Sequence, residues 1–196
     1  MAGLTAGALL ACNGPQVLVV DANDKPGGVC RTVEAGGYTI DLGVHLIGGC
    51  NRDGPFGPGT VFSILERLGV SDRCELSQVD PFYTARLPGQ SLVVPAGREA
   101  YVEAYSTAFP AEREGFKSLI DLQADMLREM LTFPITPSIT DWLSMPFTCP
   151  KLFRHRGTTM AEAISRYIKD PKARAVCAAL WPYYGLPPTQ ASFLVW

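Results

Sequence analysis

The spacing of apolar positions changes several times along the chain, and each change predicts an element. Residues 2–12 are rich in Ala, Leu and Gly and run into Asn13-Gly14-Pro15, so a tightly packed helix with a sharp stop is expected. Gln16-Val17-Leu18-Val19-Val20-Asp21 follows, a continuous apolar run closed by an acid. Such a run predicts a strand buried on both faces of a parallel sheet. Asn23 to Gly28 reads as a turn-rich loop, and Tyr38-Thr39-Ile40-Asp41-Leu42-Gly43 alternates as a second strand. Residues 51–59 are rich in Gly and Pro and read as loop. Val61, Phe62, Ile64, Leu65 and Leu68 then form a helical stripe that ends at Gly69.

Beyond residue 74 the pattern changes character. Two β-like stretches, Phe82 to Ala85 and Ser91 to Val94, flank Pro88-Gly89, which predicts a hairpin. Residues 98–133 keep a helical stripe through Phe116, Leu119, Ile120, Met126, Leu127, Met130 and Leu131, with a break at Pro110. Ile135 to Pro150 is proline-rich and expected to be irregular. Met160 to Leu180 is expected to be helical, broken near Asp170-Pro171. Residues 181–196 read as a Pro- and Tyr-rich loop followed by an apolar run, and so apolar an end suggests a truncated chain. The expected organisation is a partial α/β unit over residues 1–73 and a mixed α+β region over residues 74–196.

Composition narrows the function classes. With 47% hydrophobic residues, 18% charged residues and a net charge of −2, the chain has no electrostatic footprint for nucleic acid. Its six cysteines (12, 30, 50, 74, 149 and 177) form no Cys-x-x-Cys pair and no metal-ligand spacing. Reduced thiols in a cytosol-like compartment are expected, and no metal is assigned. Leu4 to Cys12 lacks the basic leading region of a signal peptide, and no apolar run approaches the roughly 18–20 residues of a membrane-spanning helix. A cytoplasmic protein is expected, with peripheral membrane association left open.

Candidate chemistry lies near the start. A βαβ unit that binds a dinucleotide needs glycines where strand one turns into the first helix. It also needs an acid at the end of strand two, roughly 20 residues on, to accept from ribose hydroxyls. The helix, the apolar run and Asp21 match the second half of that device. Gly3 stands 18 residues before Asp21, where the last glycine of G-x-G-x-x-G would allow close helix–strand packing. On these residues alone, a generic parallel-sheet protein with a chance acid is an equal reading.

The next segment separates the two readings. Lys25-Pro26-Gly27-Gly28-Val29-Cys30-Arg31-Thr32 follows the acid, and Gly36-Gly37-Tyr38-Thr39-Ile40-Asp41-Leu42-Gly43 follows that. In order and spacing, residues 3–49 resemble the phytoene desaturase, carotenoid isomerase and retinol saturase family, within the wider amine oxidase-like flavoproteins. The resemblance implies a Rossmann-like FAD-binding domain whose first strand is missing, joined to part of a substrate-binding region. It implies FAD as cofactor, held by Gly3, Asp21, Ala22, Gly27, Gly28, Arg31, Thr32, Asp41, Gly43 and His45. Gly27 and Gly28 would let the backbone pass the cofactor without a Cβ. Arg31 and Thr32 offer donors that suit phosphate. Asp41 would accept from backbone or ribityl hydroxyls, Gly43 would leave room beside the flavin, and His45 would lie near its ring system. An exposed surface charge is the alternative for Arg31, and a satisfied core histidine is the alternative for His45.

The activity implied is hydride transfer through flavin N5 to or from a polyene, carotenoid-like or other lipid: desaturation, saturation or isomerisation. No acid–base or nucleophilic constellation appears, so no catalytic residue is assigned. Val29 stands where many amine oxidase-like relatives carry an arginine, which leans away from true amine oxidases. Two alternatives stay open: an amine oxidase-type flavoprotein, and a non-catalytic lipid- or partner-binding relative like the Rab escort and GDP-dissociation-inhibitor group. Trp181-Pro182-Tyr183-Tyr184-Gly185-Leu186-Pro187-Pro188 resembles the family segment that leads onward in the substrate-binding half, a tunnel for hydrophobic small molecules. The aromatic and Met stripes of residues 74–180 read more simply as core. Ile135 to Arg156, apolar and then basic at Lys151, Arg154 and Arg156, reads as a solvated loop or as a membrane-docking segment. The isolated chain is expected to bind FAD poorly and to show no turnover.

Overall fold

The structure is a computed structural model that describes residues 2–43, 46–54 and 56–195. The chain divides into two units, Met1–Ser77 and Gln78–Trp196.

In the first unit, helix α1 spans Ala2–Cys12 and ends where Asn13-Gly14-Pro15 interrupts it, as its composition dictates. Its close approach to the following segment is made by Gly7. A Cβ there would lie 2.8 Å from Val19 Cγ2 and 3.5 Å from Val17 Cγ1. Residues 16–20 themselves are not a strand. Leu18 and Val20 are 87% and 83% exposed, which corrects the expectation of a strand buried on both faces. The physical reason is pairing: a buried parallel strand needs a hydrogen-bonded neighbour on each edge. Among the described residues no strand pairs with this segment, and α1 covers one side only.

The strands that do form pair antiparallel with their chain neighbours, so the parallel sheet is also absent from the described residues. Strand β1 (Thr32–Ala35) pairs with β2 (Tyr38–Asp41) in the register Thr32↔Asp41, Val33↔Ile40, Glu34↔Thr39 and Ala35↔Tyr38. Gly36 and Gly37 take φ of +61° and +81°, the two positive values that a tight two-residue hairpin turn requires. Helix α2 (Thr60–Arg67) completes the unit, with Phe62 buried and Gly69 just past its end.

The second unit holds the core. Strands β3 (Tyr83–Leu87) and β4 (Gln90–Val94) form the hairpin around Pro88-Gly89 and turn Ala85, Leu92 and Val94 inward. Helix α3 (Arg98–Ala108) packs against it, and α4 (Arg113–Thr132) packs on α3 after a short turn that starts at Pro110. The Tyr105 and Phe116 rings stack at 3.6 Å between centroids, in a core that includes Leu119, Ile164, Val176 and Phe193.

Residues 135–150 correct a second expectation. They contain helix α5 (Ile139–Thr148), followed at once by α6 (Pro150–His155). Ser138 and Asp141 form a capping box that starts α5, and Pro150 sits in the first turn of α6, where a missing N–H costs nothing. Helices α7 (Met160–Tyr167) and α8 (Pro171–Cys177) follow. Thr159–Glu162 forms a capping box on the first, and Asp170 caps the second.

Candidate functional site

The sequence candidates fall on the loop that leads into the β1–β2 hairpin. Asp21 opens it. Its Oδ1 accepts from the backbone N–H and the side-chain Nδ2 of Asn23, both at 2.9 Å. These two bonds hold its carboxyl below the usual carboxylate range, the backbone bond contributing most and the charge of Arg31 assisting. The group is therefore an ionised acceptor, and it is exposed. Ala22 is exposed beside it.

Gly27 and Gly28 take φ of +118° and +59° and start a single tight turn through Cys30. In it the Cys30 N–H donates to the Gly27 carbonyl at 3.1 Å, and the Arg31 N–H donates to that of Gly28 at 3.3 Å. A residue with a Cβ would be strained at both positions. The turn delivers Arg31 and Thr32 directly into β1.

The hairpin then returns the second motif to the first. Thr32 and Asp41 are cross-strand partners, and the Leu42 N–H donates to the Arg31 carbonyl at 3.2 Å. Gly43 lies against the loop so closely that a Cβ on it would sit 2.8 Å from the Val29 carbonyl oxygen. Gly27, Gly28, Arg31, Thr32, Asp41 and Gly43 are thus gathered by backbone geometry alone, with the Asp21 charge within electrostatic reach of Arg31.

Two candidates stand apart. Gly3 is exposed, with nothing near the place a Cβ would occupy, so the close packing expected of it belongs to Gly7. The signal for Gly7 was its place one helical turn further along a small-residue face. His45 lies outside the described residues. The sequence reading also passed over β1 itself, although Gly36-Gly37 between two short extended segments is a hairpin signal.

The loop offers anion donors and a hydroxyl acceptor but no metal chemistry. Among the described residues no group of three or more His, Cys, Asp or Glu could hold a metal ion. All six cysteines are free, and burial pushes the Cys177 thiol well up. In the second unit an open apolar cleft of about 310 Å³ is lined by Ile120, Met126, Leu127, Met130 and Phe193, with Arg98 among its lining residues. No helix among the described residues is long and apolar enough to cross a membrane.

The chain is similar to known proteins over most of its length. The chain is 27% identical over 203 residues to all-trans-retinol 13,14-reductase of Rattus norvegicus, an alignment that takes in 97% of this chain and 32% of that protein. It is 29% identical over 199 residues to phytoene dehydrogenase of Streptomyces griseus, covering 97% of this chain and 37% of the relative. A neurosporene-forming phytoene desaturase of Rhodobacter capsulatus is 30% identical over 124 residues, covering 60% of this chain and 21% of that protein. The chain therefore spans about a third of the length of the relatives that match nearly all of it. No solved structure matches it significantly. The family model described as flavin containing amine oxidoreductase matches residues 1–158, which takes in the glycine turn, the hairpin that closes on it and much of the second unit. A match over so much of the chain, on the residues that build the site, means that the chain belongs to the flavin-containing amine oxidoreductase family.

Proposed function

We propose that this chain is part of an FAD-dependent oxidoreductase that acts on a polyene or similar lipid, and that residues 21–43 hold the cofactor. The observation that carries the reading is the hairpin, which closes the Gly27-Gly28 turn, Arg31 and Thr32 against Asp41 and Gly43.

The residues present fit the cofactor by the chemistry of their donors and acceptors. Arg31 and Thr32 would bind its phosphates, the ionised Asp21 would accept from ribose hydroxyls, and Gly27 and Gly28 would leave the backbone open to it. Asp41 and Gly43 complete the set, joined in the proposal by Ala22, His45 and, at the start of α1, Gly3. When bound, FAD would supply two-electron chemistry at a substrate carbon. The chain's own residues bind and orient.

In the same reading, residues 16–21 are a strand of a Rossmann-like sheet that gains its partners in the longer protein. Their exposed apolar side chains, Leu18 and Val20 above all, are the surface such partners would cover. The first unit is then cofactor-binding and the second belongs to the substrate-binding region.

The lipid substrate is drawn from the relatives, whose names give retinol and phytoene. Val29, in place of an arginine, favours the polyene side over an amine. The test is a polypeptide carrying this chain at the full length of its relatives. It should purify with a visible flavin band and change the absorbance of all-trans-retinol or phytoene, and it should not oxidise benzylamine. A colourless protein, or one that turns over only the amine, would overturn the reading.

A further inference from the structure

His155 takes no part in the cofactor site, yet its imidazole is buried where a charge on it would matter. It lies at the end of α6, is 7% exposed, and meets the Phe193 ring at 5.6 Å in an edge-on contact. Phe193 belongs to a strap, residues 187–195, that runs over the junction of α6 and α7. Backbone bonds hold the strap there: the Phe193 N–H donates to the Thr158 carbonyl at 2.9 Å, the Met160 N–H to that of Ala191 at 2.9 Å, and the Ala161 N–H to that of Pro188 at 2.8 Å. Thr159 and Ser192 add an antiparallel bridge. Phe193 and Leu194 also line the apolar cleft of the second unit, together with Leu152. The ring on which His155 rests is thus a wall of that cleft.

The charges around the imidazole decide which form the site accepts. Burial holds its pKa below the ordinary histidine value, and Arg166 of α7 and Arg154 of α6 press in the same direction. No acid offsets them. On α4, Asp125 and Glu129 are bound at the other end of α6, the first to Lys151 and the second to the amides of Lys151 and Leu152. On α7, Glu162 accepts the Thr159 N–H. The strap itself holds no titratable side chain. The Thr158 hydroxyl, 3.5 Å from Nδ1, serves the ring as donor or acceptor and so does not select a charge state. These contacts lie inside the second unit and require no exposed face.

We propose that His155 is a proton-sensitive latch, whose imidazolium form releases residues 187–195 and opens one wall of the cleft. The sign follows from linkage. A base that is harder to protonate in the closed state favours closure above its ordinary value, and that preference is lost as pH falls toward the lower, closed-state value. Opening rises by up to about tenfold for each pH unit between the two. The device is independent of the cofactor reading.

Hydrogen exchange of the 196-residue chain tests it, with protection factors corrected for the intrinsic pH dependence of exchange. Between about pH 7.5 and about pH 5, a range above the carboxylates, protection of the Phe193, Met160 and Ala161 amides should fall by at least about threefold. The Phe109 amide of the α3 end and the far-UV circular dichroism should hold. The chain has two histidines, so in His45→Gln the remaining imidazole proton signal is that of His155, and it should titrate below about pH 6.5. His155→Gln should make strap protection independent of pH. If that variant does not fold, Arg166→Gln decides: its side chain is exposed, and losing its charge should raise the His155 value and shrink the response. Four results would overturn the proposal. They are a His155 signal that titrates at or above the ordinary value, strap protection equal at both pH values, a loss that His155→Gln or Arg166→Gln leaves unchanged, and a loss that Phe109 shares in full.

Discussion

Removing the Glu112 carboxylate should cost the second unit more than any other single acid. Glu112 lies in the turn between α3 and α4 and is only 8% exposed. Its two oxygens receive the Lys169 N–H at 3.0 and 3.1 Å, and one of them also receives the Asp170 N–H at 2.7 Å. Those amides lie between α7 and α8, so one side chain ties two helical segments to a third across 57 and 58 residues of sequence. A hydrogen bond to a charged group contributes about 1.5–3 kcal/mol, and an amide left without a partner loses its solvation as well. Lys169 and Asp170 are exposed residues, so water recovers part of the loss. Glu112→Ala is therefore expected to lower the unfolding free energy by about 2–4 kcal/mol. Glu112→Gln keeps one acceptor but turns an NH2 toward a donor, and should cost about 1–2 kcal/mol. Urea unfolding followed by far-UV circular dichroism measures both. An alanine variant within about 0.5 kcal/mol of the parent, or a glutamine variant no better than alanine, would refute the reasoning.

Gly115 in α4 lies against the Tyr167 carbonyl, so that an added Cβ would fall on its oxygen and sit 3.0 Å from its carbon. Gly115→Ala should then destabilise by about 1–3 kcal/mol despite alanine's better helix propensity, and a variant more stable than the parent in the same urea experiment would contradict the contact. The capping acids Asp141 and Glu162 are held below their ordinary values by bonds from Ser138 and Thr159, the side-chain bond leading in the first case and the backbone bond in the second. A depressed carboxyl contributes stability that is complete above its unfolded value and is lost as pH falls through the folded one. Helix content should accordingly hold down to about pH 4 and decline only below it, and Asp141→Asn with Glu162→Gln should make that decline shallower, the Asp125 carboxyl, lowered by Lys151, keeping its own share. Gly28→Ala places a Cβ at φ +59° and should distort the turn that feeds β1. Weakened amide protection of Leu42, whose N–H bonds to the Arg31 carbonyl, is the readout by hydrogen exchange.

What could be read from the chain was whatever depended on near neighbours. Helix α1, the hairpin at Pro88-Gly89, the break at Pro110 and the Asp170-Pro171 start of α8 all rest on capping, turn and period signals within a few residues. Residues 16–20 show the limit. Their apolar run states a preference for burial, while burial itself depends on strands far away in sequence. Prolines at 137, 146 and 150 suggested irregular chain, yet the Ser138–Asp141 box starts a helix between them, and Pro146 is tolerated inside it. Site residues were legible as a motif, but their meeting was not: it needs the Gly36-Gly37 turn to bring Asp41 opposite Thr32. Glu112 was invisible, because one acid in a helical stretch carries no sign of the two amides it will serve.

The central claim is that residues 21–43 face FAD. Backbone amide NMR of the isotopically labelled chain, titrated with excess FAD and separately with FMN, tests it most directly, because it registers binding far too weak to survive purification. The account predicts weak binding of FAD. Shifts should concentrate at Asp21, Gly27, Gly28, Arg31, Thr32 and Asp41 and be lost in Asp21→Ala and Arg31→Ala. FMN, which lacks the adenosine ribose, should leave Asp21 unmoved. No shift in this segment, or FAD shifts that ignore both substitutions, would contradict it.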